Sequence, residues 1–176
     1  MKSIGLNEWV YILHPRPAAA IVAGSWEDYS AMAASWIMPV SRNPPIAAVA
    51  ISRRRYTYEK IVNSKEFAIC VLGFDKLKEL HKLGSISGRE VKDKIVSCGL
   101  SKINGKKVSC PIVEESIAVA ECKLSKVVES GDHDIILGEV LEAYLLKDIE
   151  PYTEKYVVPF HVFRSTYCKP SEFVKL

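Results

Sequence analysis

The stretch from Ala18 to Trp36 reads AAAIVAGSWEDYSAMAASW and places two short apolar segments on either side of the polar turn SWED. Two such segments joined by a short polar turn predict a β-hairpin. A third apolar segment, Ile46 to Ser52, follows the turn signal NPP. Short apolar segments at this spacing predict the strands of a barrel or a sandwich rather than βαβ units.

The rest of the chain continues the pattern of strands and adds two predicted helices. One helix is predicted to begin at Thr57 as its N-cap, and a second is predicted to run from Asp75 to Gly84 with three leucines on one stripe. Further strands are predicted at Glu66–Leu72, Ser116–Ser130, Asp134–Leu146 and Phe160–Tyr167. The polar, glycine-rich segment Gly84–Pro111 indicates a functional excursion. The predicted fold is mainly β, an antiparallel barrel with a few helices, in one domain over residues 1–176.

Composition and charge are those of an ordinary soluble globular protein. Apolar residues make up 48% of the 176 residues and charged residues 26%, and the net charge of +3 is too small to indicate nucleic-acid binding. The longest apolar runs fall short of the ~20 residues that a membrane helix needs, and no signal-peptide pattern is seen. We therefore expect a cytoplasmic protein without a membrane partner. Its five widely spaced cysteines are expected to be reduced thiols, two or three of them buried in strands, rather than disulfides or zinc ligands.

The second segment of the predicted hairpin has small side chains for a strand. Five of the seven residues from Ser30 to Trp36 are Ser or Ala, whereas strands usually carry branched and aromatic side chains. A low surface lets a flat ligand approach the backbone hydrogen-bonding groups, with Trp36 and Met38 as apolar edges. Close packing against another strand or a second subunit explains the same residues, and taken alone this segment favours packing.

The stretch SRRRYT, from Ser52 to Thr57, has the features of an anion site. Arginines and hydroxyl-bearing residues lead directly into a predicted helix N-terminus, where backbone N–H groups and the helix dipole favour a phosphate. A solvated charged face is the alternative explanation. Together, the small-residue strand and the arginine cluster fit FMN, with its rings on Ser30–Trp36 and its phosphate beside the arginines.

Two further segments supply candidate polar groups. The segment SGREVKDK, Ser87 to Lys94, offers a hydroxyl, a flexible glycine and the cations Arg89 and Lys94. Lys94 either reaches a phosphate or lies on the surface of a mobile loop. His133 lies at a predicted hairpin tip, either as an exposed turn residue or as a source of a hydrogen bond or positive charge for a bound reductant. The other histidines show no metal-ligand spacing, and the sequence pattern assigns no catalytic triad or carboxylate pair.

Several segments, taken in order, resemble the flavin reductase-like proteins with an FMN-binding split barrel. They are HPRPAAAIVAG, SAMAASWIMPVSRNPPIAAVAISRRRYTYEKI, EFAICVL, SGREVKDKI and SGDHDIILGEV, and they look most like the flavoredoxin and archaeal ferric-reductase branch. The resemblance covers about Pro15 to Val140 and implies a homodimeric split barrel with FMN bound non-covalently near the dimer interface. The sequence departs from the family at two places. Where the family commonly has an Asn at the start of this strand, the chain has Ser30 and Met32, and SRRRYT contains more arginines than the same segment of many members.

The resemblance also implies roles for individual residues. The segment Ser30–Trp36 lines the isoalloxazine and ribityl chain, Ser52–Thr57 holds the phosphate, and the loop Ser87–Lys94 closes over it. His133 is the candidate catalytic residue, associated in reductase members with the nicotinamide dinucleotide. The candidate FMN-binding residues are Ser30, Ala31, Met32, Ala33, Ala34, Ser35, Trp36, Ser52, Arg53, Arg54, Arg55, Tyr56, Thr57, Ser87, Gly88, Arg89 and Lys94.

Three functions are consistent with these residues. The first is an NAD(P)H-dependent oxidoreductase that passes electrons from NADH or NADPH through bound FMN to free flavin, ferric complexes or another small-molecule or protein acceptor. The cofactor performs the chemistry in such an enzyme, which agrees with the lack of an acid–base constellation. The second is a flavoredoxin-type electron carrier that a protein partner reduces, and the third is a non-catalytic flavin-binding or storage module.

Overall fold

A seven-stranded antiparallel sheet dominates the computed structural model, which describes residues 2–149, 153 and 155–171. The strands are β1 (Arg16–Pro17), β2 (Ala19–Gly24), β3 (Tyr29–Ala34), β4 (Ile37–Arg42), β5 (Pro45–Ser52), β6 (Glu66–Leu72), β7 (Lys102–Asn104), β8 (Pro111–Val113), β9 (Ser116–Val128), β10 (His133–Leu145), β11 (Phe160–Phe163) and β12 (Thr166–Cys168). The helices are α1 (Tyr56–Ser64), α2 (Leu77–Ser85) and α3 (Lys94–Ser97), with 3-10 turns at Trp9–Leu13 and Phe74–Lys76. The large sheet has the strand order β3-β2-β6-β9-β10-β5-β4, and two small sheets have the orders β1-β11-β12 and β7-β8.

The hairpin between Ala18 and Trp36 forms as the sequence predicts. Strands β2 and β3 pair antiparallel over their whole length, up to Gly24 opposite Tyr29. Gly24 has a φ of 115°, and an added Cβ atom there would lie 2.3 Å from the carbonyl oxygen of Asp28. The turn therefore requires glycine at this position. The prediction of a mainly β, antiparallel fold is confirmed.

Both faces of β2 are buried, which explains why this strand is apolar throughout. Val22 belongs to a core cluster that includes Leu80 of α2, whereas Ile21 belongs to a second cluster that includes Ile61 of α1. A strand that is covered on both faces shows no alternation of apolar and polar residues. Strand β2 therefore lies between two halves of the core, with β3 as its outer neighbour in the sheet.

The C-terminal strand differs from the prediction. The segment Phe160–Tyr167 is a hairpin of β11 and β12 rather than one strand. The chain turns at Arg164, whose φ is 50°. A positive φ is uncommon outside glycine, and no Gly or Asn marks this turn in the sequence. The run of apolar residues therefore predicted one strand where the chain reverses.

The connection between β5 and α1 also differs. The helix begins at Tyr56 rather than at Thr57, and its N-cap residue is Arg55. Arg53 and Arg54 lie in a turn and not on a strand. In a strand, Arg53 and Arg55 would point to one face and Arg54 to the other. Because these residues lie in a turn and a bend, the turn sets the direction of each side chain.

The excursion Gly84–Pro111 contains a loop, the short helix α3 and strand β7, which pairs with β8. The buried carboxylate of Glu121 fixes its end to the large sheet by accepting hydrogen bonds from the backbone N–H groups of residues 106–108. The hydroxyl of Tyr144 donates to the same carboxylate at 2.6 Å. Burial alone would raise the pKa of Glu121, but these hydrogen bonds bring the pKa below its usual range.

All five cysteines are free thiols, and four of them are buried. Two of the buried ones, Cys70 in β6 and Cys122 in β9, lie in strands, in agreement with the predicted two or three. Burial raises the pKa of the Cys70 thiol to about 11 and that of Cys122 to about 12, so these thiols are unreactive. No helix within the described part of the chain has the length and apolar character needed to cross a membrane. Within the same residues, no three His, Cys, Asp or Glu side chains are grouped so that they could hold a metal ion.

Candidate functional site

Three adjoining pockets form one groove along the second half of β3, here called the β3 groove. The arginine pocket, about 160 Å³, is lined by Ser30, Met32, Arg54, Arg55, Tyr56, Thr57, Gly84, Ser85, Ile86, Ser87, Gly88, Arg89 and Lys94. The tryptophan pocket, about 150 Å³, is lined by Met32, Ala33, Ala34, Ser35, Trp36, Ala50, Ile51, Ser52, Arg55 and His133. The histidine pocket, about 260 Å³, is lined by Ala18, Ala33, Ala34, Ser35, Arg55, His81, Gly84, Ser85, His161, Arg164 and Tyr167. Arg55 lines all three pockets.

A buried pair of hydroxyl groups joins β3 to α1 at the arginine pocket. Ser30 and Thr57 are each 1% exposed, and their hydroxyl oxygens lie 2.9 Å apart. The pair brings the small-residue strand against the first turn of α1. The sequence predicts that Thr57 caps the helix, but in the structure its side chain holds two parts of the candidate site together.

A buried cation lies in the same pocket. Lys94 is 3% exposed, and its Nζ atom donates a hydrogen bond of 2.6 Å to the carbonyl oxygen of Ala31. Burial lowers the pKa of Lys94 to about 8, and the positive charge of Arg55 contributes to the lowering. No carboxylate in the described residues forms an ion pair with Lys94. A buried ammonium with unused donors is an arrangement that favours a bound anion.

The three consecutive arginines have different partners. Arg53 forms two hydrogen bonds of 2.8 Å to the buried carboxylate of Asp134, and it also lies 3.5 Å from Glu129. This contact holds the pKa of Asp134 well below its usual range. Arg54 and Arg55 form no ion pair with a carboxylate in the described part of the chain, although Arg54 interacts electrostatically with Asp132, and both line the arginine pocket. The structure therefore places Arg54 and Arg55 in the groove and Arg53 outside it.

The loop Ser87–Lys94 lies against the same helix end. A Cβ atom added to Gly88 would lie 2.5 Å from the hydroxyl oxygen of Ser30 and 3.1 Å from the Tyr56 ring. Only glycine lets the loop backbone approach β3 this closely. Arg89 extends over the Tyr56 ring and pairs with Glu59 at 2.8 Å. The loop therefore covers one side of the arginine pocket.

Two aromatic rings lie at the other end of the groove. The rings of Trp36 and His133 are 4.8 Å apart, with a tilt of 39°. His133 is the first residue of β10, and its Nδ1 atom lies 2.9 Å from the carboxylate of Asp132. The next residue, Asp134, also accepts a hydrogen bond of 2.7 Å from the hydroxyl of Tyr58. The contacts of Asp134 fix the start of β10 and hence the position of His133.

The structure brings almost all of the predicted site residues together. All of them except Ala31 and Arg53 line the arginine pocket or the tryptophan pocket. Ala31 takes part through its carbonyl group, which accepts from Lys94. Arg53 lies outside both pockets because Asp134 binds its guanidinium, whereas Arg89 pairs with Glu59 but still lines the arginine pocket.

No sequence pattern assigns a role to four of the residues that line the histidine pocket, namely His81, His161, Arg164 and Tyr167. The sequence places His81 only in a predicted helix and the other three in a single predicted strand. The reversal at Arg164 brings His161 and Tyr167 to the pocket beside His81 of α2. The sequence holds no glycine that would have marked this turn, so pattern analysis could not have found the pocket.

Known proteins with similar sequences and structures point to one family. The family model described as flavin reductase like domain matches residues 12–169. An uncharacterized protein of Aeropyrum pernix is 36% identical over 148 residues, which are 84% of this chain and 56% of that protein. A flavin reductase of Pseudomonas putida is 33% identical over 116 residues, which are 64% of this chain and 62% of that enzyme. The chain thus spans less than two thirds of the length of either relative.

Two solved structures have the same fold. One is an FMN-binding protein of Thermus thermophilus with bound 1-cyclohex-2-enone, with 25% identity, a TM-score of 0.86 and coverage of 100% of this chain and 98% of that one. The other is the flavoredoxin of Desulfovibrio vulgaris (Miyazaki F), with 26% identity, a TM-score of 0.85 and coverage of 100% and 96%. The expected split barrel is therefore confirmed. Because the family model matches nearly the whole sequence, this chain belongs to the flavin reductase-like domain family.

Proposed function

We propose that this chain binds FMN non-covalently in the β3 groove and passes electrons from NADH or NADPH through the bound flavin to free flavin, a ferric complex or another acceptor. The observation that carries the proposal is the buried ammonium of Lys94, which lies beside two unpaired arginines in a groove whose strand is built from alanines. A flat, anionic nucleotide suits this combination of surface and charge.

The arginine pocket fits the phosphate end of FMN. Arg54 and Arg55 offer guanidinium groups that no carboxylate of the described chain occupies, and the hydroxyl of Ser87 lines the same pocket. Guanidinium forks bind phosphate oxygens with two parallel hydrogen bonds. Lys94 adds a third cation and keeps part of its donor capacity after its bond to Ala31. These residues would hold the phosphate.

The tryptophan pocket fits the flat end of the cofactor. Ala33 and Ala34 leave the surface of β3 low, and the indole of Trp36 closes the pocket on one side. Aromatic side chains favour flat, polarizable ligands through stacking and edge contacts. Bound FMN would supply the electron-transfer chemistry, for which the side chains of the groove offer no substitute. The alanines and Trp36 would orient the ring and exclude water from one of its faces.

His133 would act on the reductant and not on the flavin. Its ring lines the tryptophan pocket beside Trp36, and its Nδ1 atom lies 2.9 Å from Asp132. An aspartate at this distance accepts a hydrogen bond from Nδ1 and orients the imidazole ring. In this position His133 would offer a hydrogen bond or a charge to the nicotinamide dinucleotide.

A flavoredoxin-type electron carrier is the second candidate. The observation that favours it is the similarity over the whole chain to the flavoredoxin of Desulfovibrio vulgaris. The same groove residues would bind FMN in a carrier, but a protein partner would reduce the flavin and His133 would have no nicotinamide to contact. A flavin that no physiological donor reduces would indicate a storage module instead.

We also propose that the protein is a homodimer. Strand β4 is an edge of the large sheet and exposes the side chains of Met38 and Val40, which are 56% and 49% accessible. Exposed apolar edge strands are normally covered. Light scattering on the purified protein should give twice the mass of the chain, and Met38→Glu together with Val40→Glu should give the monomer. A monomeric wild-type protein would contradict the proposal.

One experiment tests the proposed function and separates its alternatives. The purified protein is expected to be yellow and to show the visible absorption spectrum of bound flavin. Anaerobic stopped-flow mixing with NADH and with NADPH should bleach this spectrum if the protein is a reductase. Reduction by ferredoxin or a hydrogenase system, with neither nicotinamide active, would favour the carrier. A colourless protein that stays colourless after incubation with excess FMN would overturn the assignment of the groove.

A further inference from the structure

The histidine pocket shares one wall with the proposed flavin site but has its own chemistry. Ala33, Ala34 and Ser35 of β3 form the shared wall, while the remaining residues come mainly from α2 and from the β11–β12 hairpin. At about 260 Å³ the pocket has room for a small ligand beside the flavin groove.

The charge of the pocket is positive. Its lining contains Arg55 and Arg164 and no Asp or Glu. Neither arginine forms an ion pair with a carboxylate among the residues that the structure describes. In contrast, Arg53 and Arg89 on the same side of the protein each pair with carboxylates. The guanidinium of Arg164 lies over the ring of Phe163, 5.0 Å from its centroid, and this contact leaves its hydrogen-bond donors available. Two guanidinium groups without a carboxylate at one small pocket favour an anionic ligand.

The backbone holds Arg164 in an unusual conformation. Its φ of 50° is one that glycine adopts more easily than arginine. His161 fixes the turn, because its Nε2 atom donates a hydrogen bond of 2.8 Å to the carbonyl oxygen of Arg164. The Nδ1 atom of His14 lies 2.9 Å from the carbonyl oxygen of His161 and anchors the hairpin from the other side. The arginine is thus carried on a fixed turn and not on a free loop.

Hydroxyl and imidazole groups complete the polar side of the pocket. The hydroxyl of Tyr167 lies 3.2 Å from Nδ1 of His81, and the hydroxyl of Ser35 lies 3.4 Å from Nδ1 of His161. Burial raises the pKa of Tyr167, so its phenol keeps its proton near neutral pH and can donate to an anion. The rings of His161 and Tyr167, 5.2 Å apart, supply flat apolar surface opposite the alanines.

We propose that the histidine pocket is a second binding site, beside the flavin groove, for a small planar carboxylate. Arg164 and Tyr167 bind the carboxylate group, and the alanines of β3 with the ring of His161 contact the planar part. Arg55 lies between this pocket and the arginine pocket and contributes positive charge to both. The binding itself does not require the proposed redox function, although its place beside the flavin rests on that function.

The test uses benzoate as the probe and benzamide as its neutral, equally planar control. Isothermal titration calorimetry on the FMN-saturated protein should detect benzoate binding, with benzamide bound at least about tenfold more weakly. Binding should also perturb the flavin absorption spectrum without releasing FMN. Arg164→Ala should weaken benzoate binding about tenfold or more, Arg164→Lys should weaken it less, and Tyr167→Phe should cause a smaller loss. Arg42→Ala, at an arginine that lines none of the three pockets, should leave benzoate affinity unchanged.

Several results would overturn the proposal. These are no benzoate binding to the wild type, equal binding of benzoate and benzamide, or an Arg164→Ala variant with wild-type affinity. Release of FMN by benzoate would show that the pocket is part of the flavin site and not a second site. Inorganic phosphate that binds as well as benzoate would show a general anion site without selection for a planar carboxylate. If FMN does not bind at all, the proposed function fails, and the same calorimetry on the flavin-free protein still decides whether the pocket binds benzoate.

Discussion

The ammonium nitrogen of Lys94 lies 2.6 Å from the carbonyl oxygen of Ala31, a residue 63 positions earlier in the sequence. The contact ties the end of the loop Ser87–Lys94 to the small-residue strand. It also fixes a cation in a place from which water is nearly excluded, since Lys94 is 3% exposed. A charge held in this way responds strongly to a bound anion and to pH.

FMN affinity is expected to fall as the pH rises above 8. Burial lowers the pKa of Lys94 to about 8 in the flavin-free protein, so the ammonium is increasingly lost above that pH. The FMN phosphate, with a second pKa of about 6, stays fully charged over the same range. Above pH 8 the dissociation constant should therefore increase by up to about tenfold per pH unit. Titration of FMN fluorescence between pH 6.5 and 9.5 measures this slope.

The variant Lys94→Met is the matched control for this slope. It should bind FMN about tenfold or more weakly at pH 7, because a charge-assisted contact is lost. Its affinity should vary little between pH 7 and pH 9. A wild-type profile as flat as that of Lys94→Met would show that Lys94 does not face the anion.

The stability of the flavin-free protein should change with pH in the opposite direction. The pKa of a lysine in the unfolded chain is about 10.4, whereas that of folded Lys94 is about 8. Between these values the unfolded state binds more protons, so the free energy of unfolding contributed by Lys94 rises with pH, by on the order of 3 kcal/mol in total. The difference between wild type and Lys94→Met, measured by urea unfolding at pH 7.5 and pH 10, should show this change. An equal pH dependence in both proteins would contradict the buried charge.

The three arginines should separate into two classes when each is replaced by alanine. Arg54→Ala and Arg55→Ala are expected to weaken FMN binding about tenfold or more with little loss of stability, because both side chains line the arginine pocket without a carboxylate partner. Arg53→Ala should keep wild-type FMN affinity but lower the free energy of unfolding, since it removes the charged partner of the Asp134 carboxylate and leaves it with hydrogen bonds from neutral groups only.

Equilibrium dialysis of FMN and urea unfolding on the same three variants check this division. Loss of FMN binding in Arg53→Ala would show that, in the wild-type protein, the Arg53 side chain leaves Asp134 and binds the phosphate. In that case the groove would reorganise around the cofactor, and the flavin-free geometry would not describe the occupied site.

The sequence predicted much of this site because its residues lie in short, continuous segments. The small residues from Ser30 to Trp36 and the arginines before α1 each form one run, and the pairing of β2 with β3 and the Ser30–Thr57 contact bring the runs together. Local patterns such as hairpin turns and helix starts are sufficient to place such runs near one another.

The parts that the sequence did not predict depend on single tertiary contacts. The role of Arg53 is set by Asp134, 81 positions later, and no local pattern encodes that pairing. The histidine pocket depends on a reversal at Arg164 that no turn-forming residue marks. Edge strand β4 follows the β2–β3 hairpin in the chain. Its sequence, IMPVSR, contains a proline, and proline is unfavourable in a strand, so the sequence pattern does not predict β4.

Replacement of Gly88 by alanine should open the arginine pocket. The added methyl group would lie 2.5 Å from the hydroxyl oxygen of Ser30, so the loop Ser87–Lys94 must shift. We expect FMN to bind about tenfold more weakly, with a smaller change in unfolding free energy. The double variant Gly88→Ala with Ser30→Ala removes the clashing oxygen and should recover part of the affinity. Full affinity in the single variant would mean that the loop does not need its close contact with β3.

His133→Ala should separate cofactor binding from reduction. Its imidazole lines the tryptophan pocket beside Trp36 and lies outside the arginine pocket, so FMN retention should remain close to that of the wild type. Removal of the hydrogen bond or charge offered to the nicotinamide should slow flavin reduction by NADH or NADPH about tenfold or more, the loss expected for one interaction with a charged group. Single-turnover stopped-flow absorbance measures this rate. Arg42→Ala is the control, because that side chain lines none of the three pockets, and its flavin should be reduced at the wild-type rate. Equal slowing in both variants would assign the effect to a general disturbance of the groove, and an unchanged rate in His133→Ala would remove His133 from the reduction step and favour the electron carrier.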